Sequence, residues 1–264
     1  MSNLASTKAR VDRERLAHSE EDVLARSYEL KDRFPHIWMY PSRMRLFAVI
    51  DDHLSDLRGK RVLDYGCGRG DSSLSYAERG AVVDGIDISS AYVNDATGRA
   101  SEAGYDHDCI AFHVMDAHEL SFEDETFDVV VGYGILHHLD ADVAMQELHR
   151  VLKPGGRLLL QEPLADNPLL RVFRLLTPKA RTRDERPFSA RDIMRLSGST
   201  QWVSELSYCG LIAAPVAMLT SILVPDRPDN RLMRWADSVE RWTHNHGLLL
   251  SWNQYVLLNM RKWS

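Results

Sequence analysis

Between Lys60 and Pro163, hydrophobic residues fall in short, often β-branched runs that alternate with stretches of helical periodicity. This alternation is typical of successive β-α-β units around a parallel sheet. The runs FDVVVGY and GRLLLQEP are almost continuously apolar, as expected for strands that are buried on both faces. The pattern predicts five strands, at residues 61–65, 82–86, 110–114, 127–132 and 157–162.

Helices are predicted between these strands, at about residues 72–79, 90–103 and 142–152. The last of them ends at Lys153-Pro154-Gly155-Gly156, because proline cannot continue a helix and glycine turns the chain toward the next strand. Residues 58–163 are therefore expected to form the core of the protein.

The regions on either side of this core have patterns of their own. An N-terminal helical segment covers roughly residues 20–57 and could form a lid, within a region that spans residues 1–57. After the core, the pattern predicts a strand at 201–209, an apolar and then amphipathic helical insertion at 211–246, and a final strand at 251–262. We expect one structural domain of the α/β class: a doubly wound, mostly parallel, seven-stranded sheet with N-terminal helices and a helical C-terminal insertion within residues 164–264.

Composition restricts the classes of protein to which the chain can belong. The 264 residues are 44% hydrophobic and 27% charged, as in ordinary globular proteins. A net charge of -6 gives no overall attraction to nucleic acid or to an anionic membrane. Cys67, Cys109 and Cys209 are far apart and suggest reduced thiols, and no Cys/His spacing predicts a metal site. The charged N-terminus lacks the apolar core of a signal peptide, so we expect a cytoplasmic protein.

The first predicted strand ends in VLDYGCGRG, which carries the first candidate chemistry. Gly66, Gly68 and Gly70 allow a tight turn and a close approach of the backbone to a ligand. The amides at the start of the following helix also face this position. Asp87 ends the second strand about twenty residues later, where a carboxylate can accept both ribose hydroxyls of a nucleoside.

Two kinds of nucleotide ligand could bind at this turn, a dinucleotide or a nucleoside with a cationic end. A dinucleotide site requires G-x-G-x-x-G, but Asp71 stands where the last glycine should be. Asp64 is unfavourable beside a pyrophosphate and suits the cationic end of a ligand. Both departures disfavour a nicotinamide-dependent oxidoreductase.

The motifs that follow narrow the ligand further. LDYGCGRG, VDGIDIS, HVMDAHELSFEDETFDVVVGYGILHHL and ELHRVLKPGGRLLLQEP occur in this order over about 100 residues. Together they resemble the core motifs of the class I S-adenosylmethionine-dependent methyltransferases that act on small molecules. The resemblance implies a Rossmann-like fold, S-adenosyl-L-methionine as cofactor and transferase activity.

The resemblance also assigns roles to residues of the glycine turn. It implies that Gly66, Gly68 and Gly70 line the methionine part of the cofactor, with Asp64 nearby.

Further roles follow along the next three strands. Asp87 would hold the ribose, Ile88 would pack beside the adenine, and Asp116 would accept from the adenine amino group. Ala117 would offer an adjacent backbone amide, and Tyr133 would lie near the transferred methyl group. Alternatively, Asp87 only caps the next helix and Asp116 is an ordinary loop acid.

The pair His137-His138 in GILHHL offers a general base. Histidine titrates near neutral pH and can remove a proton from a hydroxyl group. The same string occurs in methyltransferases with different acceptors, so it could instead shape the loop. We favour His138 slightly over His137 as the base, with O-methylation ahead of C- or N-methylation.

The C-terminal region predicts the kind of acceptor. An arginine-rich segment leaves the functional edge of the sheet and can bind anionic oxygens or simply pair with neighbouring acids; its basic residues are Arg171, Arg174, Lys179, Arg181, Arg183, Arg186, Arg191 and Arg195. The apolar string LIAAPVAMLTSILV, with Met218, could cover the site or form a homo-oligomer interface. Trp235 and Trp242 would extend the same apolar surface.

These features favour a small, partly apolar and anionic acceptor such as a lipid, an isoprenoid or a specialised metabolite. The alternatives are a cofactor-binding scaffold that has lost turnover, and an RNA methyltransferase. The acidic net charge disfavours RNA.

Overall fold

The computed structural model of the chain describes residues 34–176 and 185–263. Its centre is a seven-stranded sheet with the order β3-β2-β1-β4-β5-β7-β6. The strands are β1 (Arg61–Tyr65), β2 (Val82–Asp87), β3 (Ile110–Val114), β4 (Phe127–Tyr133), β5 (Leu152–Pro163), β6 (Trp202–Cys209) and β7 (Tyr255–Lys262). The predicted fold class is confirmed.

Helices cover both faces of this sheet. They are α1 (His36–Met39), α2 (Pro41–His53), α3 (Asp71–Glu78), α4 (Ser90–Glu102), α5 (Ala141–Val151), α6 (Pro168–Leu176), α7 (Ala190–Ser197), α8 (Ala213–Leu223) and α9 (Arg231–Asn245). The part of the predicted N-terminal helical segment before residue 34 lies outside the described residues.

The topology places a ligand crevice between β1 and β4. Strands β1 to β5 pair in parallel, whereas β7 runs antiparallel between β5 and β6. The chain builds outward from β1 through β2 to β3, and then returns to place β4 on the other side of β1. Ligands of doubly wound sheets bind at such a switch point, beyond the carboxyl ends of the strands.

Predicted and observed elements differ mainly at their ends. The structure begins β5 at Leu152 rather than at residue 157, because Leu152 already pairs with Phe127 before the register shifts. It begins β7 at Tyr255 rather than at 251, since a short 3₁₀ turn occupies Leu250–Trp252. The predicted insertion at 211–246 is two helices, α8 and α9.

The C-terminal insertion packs through its small residues. In α8, Ala213, Ala214 and Ala217 are buried, whereas Ile222 and Leu223 are exposed. The predicted apolar surface therefore remains partly open to solvent, and Trp235 and Trp242 of α9 are exposed as well. No helix within the described ranges is long and apolar enough to cross a bilayer.

A buried carboxylate holds α8 in place. Glu240 of α9 has no exposed surface, and it accepts hydrogen bonds from the amides of Gly210 (2.7 Å), Ile212 (3.3 Å) and Ala213 (3.0 Å). The carboxylate satisfies donors at the start of α8 that have no partner inside the helix. Its negative charge also lies at the positive end of the helix dipole.

Replacing Glu240 by Ala should destabilise the protein, because these amides would stay buried without an acceptor. Hydrogen bonds to a charged group contribute about 1.5–3 kcal/mol each, so we expect a loss of at least about 3 kcal/mol. Urea unfolding measures it, with exposed Glu78→Ala as the control. An equal, small effect of both substitutions would contradict this role.

Candidate active site

The turn after β1 forms the floor of a cavity. The amides of Gly66 and Cys67 both donate to the carbonyl oxygen of Ile86, at 3.0 and 2.8 Å. Gly66 has φ +79°, and a Cβ atom there would lie 2.6 Å from Cδ1 of Ile135. A Cβ at Gly68 would meet nothing within 4 Å, because this residue faces the open cavity. At position 66, therefore, only glycine allows both the positive φ and the close approach of Ile135.

The cavity has a volume of about 260 Å³ and lies at the carboxyl ends of β1, β2 and β4. Eight of the predicted site residues line it: Gly66, Gly68, Asp87, Ile88, Asp116, Ala117, Tyr133 and His138. The other three predicted residues, Asp64, Gly70 and His137, are not part of the lining. Gly70 lies behind the turn, where a Cβ would be 2.9 Å from Cζ of Phe112.

Asp87 is held by the backbone on both sides. Its Oδ2 accepts from the amide of Gly68 at 3.0 Å, and its Oδ1 accepts from the amide of Ser89 at 2.8 Å. Ser89 is the N-cap of α4, with its hydroxyl accepting from the amide of Tyr92 at 3.4 Å. Asp87 is therefore not the capping residue, and each of its oxygens can accept further hydrogen bonds at the cavity wall.

Asp116 forms a network with a histidine that the sequence did not single out. Its Oδ1 accepts from the amide and from Nδ1 of His118, at 2.9 and 2.7 Å. His118 Nε2 accepts from the amide of Asp140 at 2.9 Å. These partners assign the proton to Nδ1, because the amide of Asp140 can only donate. The network fixes the Asp116 carboxylate, which is half-buried at the cavity wall.

The two histidines of the loop after β4 have different surroundings. His137 is buried, and its Nδ1 lies 2.8 Å from Oε2 of the fully buried Glu162. Since a carboxylate only accepts, His137 donates from Nδ1. His138 is half-buried and lines the cavity, with its ring centroid 4.1 Å from that of His137. The cavity is therefore open to His138, and His137 stands behind it.

Glu162 organises this loop, and the sequence analysis did not identify it. Besides His137, it accepts from the amides of Ile135 (3.2 Å), Leu136 (2.8 Å) and His137 (3.3 Å). Its position at the end of β5 was the only available signal, because its partners are 25 to 27 residues away in sequence.

Glu185 adds a third polar group beside the histidines. Within the part of the chain that the structure describes, one ring nitrogen each of His137 and His138 and a carboxylate oxygen of Glu185 lie within 4.8 Å of one another. The amide of Arg186 also donates to the carbonyl oxygen of His137 at 3.0 Å. The arginine-rich segment thus returns to the loop after β4.

Individual basic residues of that segment have varied roles. Arg174 donates to the carbonyl oxygen of Leu164 at 2.7 Å, and Arg195 pairs with Asp142. Asp192 forms a capping box with Ser189 at the start of α7. Lys179, Arg181 and Arg183 lie outside the described residues.

Tyr133 ends β4 and faces the cavity from the side of α2. The ring of Phe47 lies 6.2 Å from its ring, and Tyr76 donates to its hydroxyl at 3.5 Å. Burial raises the pKa of the Tyr133 phenol above its usual value. The group therefore stays protonated at neutral pH, where it can donate a hydrogen bond but does not act as a base.

Asp64 lies beneath the glycine turn. It is buried, and its Oδ2 accepts from the hydroxyl of Ser73 at 2.5 Å. Burial raises the pKa of Asp64 to about 6, despite the opposing hydrogen bond from Ser73. The ionised form of Asp64 is therefore unfavourable in this buried position, and a nearby cation would stabilise it.

Comparisons with known proteins agree with this geometry. A family described as a methyltransferase domain matches residues 63–160. The chain is 32% identical over 199 residues to a demethylmenaquinone methyltransferase of Beutenbergia cavernae, covering 72% of this chain and 78% of the relative. It is 43% identical over 104 residues to the 27-O-demethylrifamycin SV methyltransferase of Amycolatopsis mediterranei, covering 39% and 38%. Across several other curated relatives, it spans 42–53% of their length.

A solved structure with the same fold is geranyl diphosphate C-methyltransferase from Streptomyces coelicolor A3(2). It has a TM-score of 0.59 and 20% identity, with 83% of this chain and 77% of that chain covered. The fold and cavity define a Rossmann-like nucleotide-binding protein. With the sequence matches, the chain belongs to the class I S-adenosylmethionine-dependent methyltransferases.

Asp64 should make stability depend on pH. The pKa of Asp64 is about 6 in the fold, against an ordinary value of 3.8, so ionisation costs stability as pH rises through this window. Asp64→Asn should therefore gain stability relative to the native protein between pH 4 and pH 7, by on the order of 3 kcal/mol. Urea unfolding at several pH values measures the difference, with the exposed Asp108→Asn as control. A difference that does not change with pH would contradict the shifted pKa.

Proposed function

We propose that the protein transfers a methyl group from S-adenosyl-L-methionine to a small, partly apolar acceptor, with an oxygen atom as the favoured target. The observation that carries this proposal is the composition of one cavity. It combines the glycine turn, two fixed carboxylates and a histidine around the carboxyl ends of three neighbouring strands.

The cofactor would be held along the wall formed by β1 to β3. Asp87 has capacity to accept from ribose hydroxyls, and Asp116 from an adenine amino group. Ile88 offers apolar contact to the adenine, and Ala117 offers a neighbouring backbone amide. The open side of Gly68 leaves room for the methionine part.

Asp64 contributes through its charge. When bound, S-adenosyl-L-methionine supplies a methyl group on a sulfonium, already activated for displacement. Asp64 beneath the turn would stabilise a cationic ligand end above pH 6, where its carboxyl group is ionised.

Alignment is the main requirement for this reaction. Holding two reactants in attack geometry supplies about 7–11 kcal/mol. A general base contributes about 10²- to 10⁴-fold in rate. Tyr133 and His138, which also line the cavity, would therefore act first by orienting the acceptor.

His138 is the better placed of the two histidines to remove a proton. It lines the cavity, whereas Nδ1 of His137 is engaged by Glu162. His137 would keep the loop and the neighbouring ring in position. This arrangement favours a hydroxyl acceptor, because a hydroxyl must lose its proton when it is methylated.

The names of the relatives support the same class of acceptor. Two are O-methyltransferases by name, one of Penicillium expansum and a ubiquinone biosynthesis enzyme of Idiomarina loihiensis. The relative from Beutenbergia cavernae is named for demethylmenaquinone. We therefore place phenols and hydroquinones first among the acceptors to be tested.

Binding of S-adenosylhomocysteine tests the cofactor site independently of the acceptor. Asp87→Asn should weaken it about 10- to 100-fold in calorimetric titration, because a charged acceptor of hydrogen bonds is lost. The matched control is Asp95→Asn, since Asp95 pairs with Arg69 at 2.6 Å and does not line the cavity. Equal affinity of native protein and Asp87→Asn would reject the ribose contact.

Turnover across a panel of phenols, hydroquinones and aliphatic alcohols tests the base. His138→Gln should lower kcat by about 10²- to 10⁴-fold, because the proposed base is lost. The exposed His107→Gln is the control. Unchanged turnover in His138→Gln would exclude a role as base, and cofactor binding without turnover on any acceptor would favour a non-catalytic scaffold.

A further inference from the structure

Arg43 of α2 is a buried cation with incomplete hydrogen bonding. Its exposed fraction is 6%, and among the described residues neither Nε nor Nη1 has a hydrogen-bond partner. Arg45, two residues later, is different: its side chain is 45% exposed and lies 2.7 Å from Oδ1 of Asp237. Guanidinium groups are rarely buried unless they are paired, so we expect Arg43 to bind an anionic partner.

Three aromatic rings surround the guanidinium group. Its Cζ lies 4.8 Å from the ring centroid of Trp38, 5.3 Å from that of Phe47 and 4.9 Å from that of Tyr255. Such contacts stabilise the charge, and Tyr255 also forms a hydrogen bond with the side chain, but Nε and Nη1 keep no acceptor among the described residues. The three rings are only half-buried, so they do not isolate Arg43 from a ligand.

The position of Arg43 connects it to the proposed active site. Tyr255 begins β7 and pairs with Pro163 at the carboxyl end of β5. Phe47 contacts Tyr133, which lines the cofactor cavity. Arg43 therefore lies near the carboxyl ends of β4 and β5, and Phe47 contacts both its guanidinium group and Tyr133.

A second polar group without a partner lies on the same face of the sheet. Gln161 is 4% exposed, and its Oε1 has no hydrogen-bond partner among the described residues. In the sheet register, Gln161 is opposite both Tyr133 and Leu257. Side chains of register partners share a face, and so does Tyr255, two residues from Leu257. Gln161 therefore lies beneath the region that Phe47 and Arg43 cover.

We propose that Arg43 and Gln161 form an acceptor subsite, in which Arg43 binds an anionic oxygen of a carboxylate or phosphate group and Gln161 binds a neighbouring polar group. This inference rests on the proposed function and adds a charge to the acceptor. A purely structural side chain in this aromatic environment would be favoured as an apolar one, because a buried charge whose N–H donors are only partly hydrogen-bonded is unfavourable. An arginine fork matches the geometry of both oxyanions.

Calorimetric titration of the full chain, saturated with S-adenosylhomocysteine, tests the subsite. The probes are 4-hydroxybenzoate, phenyl phosphate and the neutral 4-hydroxybenzyl alcohol. We expect one anionic probe to bind at least about tenfold more tightly than the neutral one, and the preferred anion distinguishes carboxylate from phosphate. Arg43→Met should weaken that probe about 10- to 100-fold and leave S-adenosylhomocysteine binding unchanged.

Arg45→Met is the matched control, because it removes a guanidinium group from the same helix, and it should not change probe affinity. Gln161→Leu is a second variant and should weaken the same probe. Should Arg43→Met fail to fold, the ¹⁵N-labelled Nε–H signal of Arg43, assigned by its absence in Arg43→Lys, should shift when the anionic probe is added to native protein.

Three results would overturn the subsite: no anionic probe binds native protein at millimolar concentration, neutral and anionic probes bind equally, or Arg43→Met lowers only the melting temperature. Anion binding through Arg43 without S-adenosylhomocysteine binding would instead reject the proposed function and retain the subsite.

Discussion

The buried carboxylate of Glu162 is the interaction on which the candidate active site depends. It accepts from three consecutive amides and from the ring of His137, and so it determines the path of the loop after β4. That path brings Ile135 against Gly66 and His138 to the cavity. One side chain at the end of β5 thereby links the cofactor turn to the proposed base.

Two other carboxylates near the carboxyl ends of the strands also accept hydrogen bonds from several backbone amides. Asp87 accepts from amides on both sides, and Glu240 accepts from three amides before and within the first turn of α8. Each of these carboxylates gives several backbone amides an acceptor. These contacts also restrict rotation of the side chain, so less conformational entropy is lost when a ligand binds.

The sequence predicted the core well because its signals are local. Buried parallel strands are continuous apolar runs, and the bounds of β1 and β3 were predicted to the residue. Asp87 was recognisable because it lies a fixed distance after the glycine turn. The roles of Glu162 and His118 were not, since Glu162 binds residues 25 to 27 positions away and His118 links Asp116 to Asp140, 22 positions away, only in the folded protein. The surroundings of Arg43 were equally hidden, because Tyr255 is more than two hundred residues further along the chain.

Acidic and basic side chains lie at different positions around the candidate active site. Asp87 and Asp116 line the cavity near the ends of β2 and β3, and Asp64 lies beneath the glycine turn, which favours a cationic donor. Phe47 contacts both Tyr133 of the cavity lining and Arg43, which in the proposed subsite would favour an anionic acceptor. A donor and an acceptor of opposite charge would each be repelled from the other's position, so the electrostatic field would orient both before any contact is made. Because in-line methyl transfer depends on alignment more than on proton removal, this polarity would serve the reaction even where the acceptor needs no base.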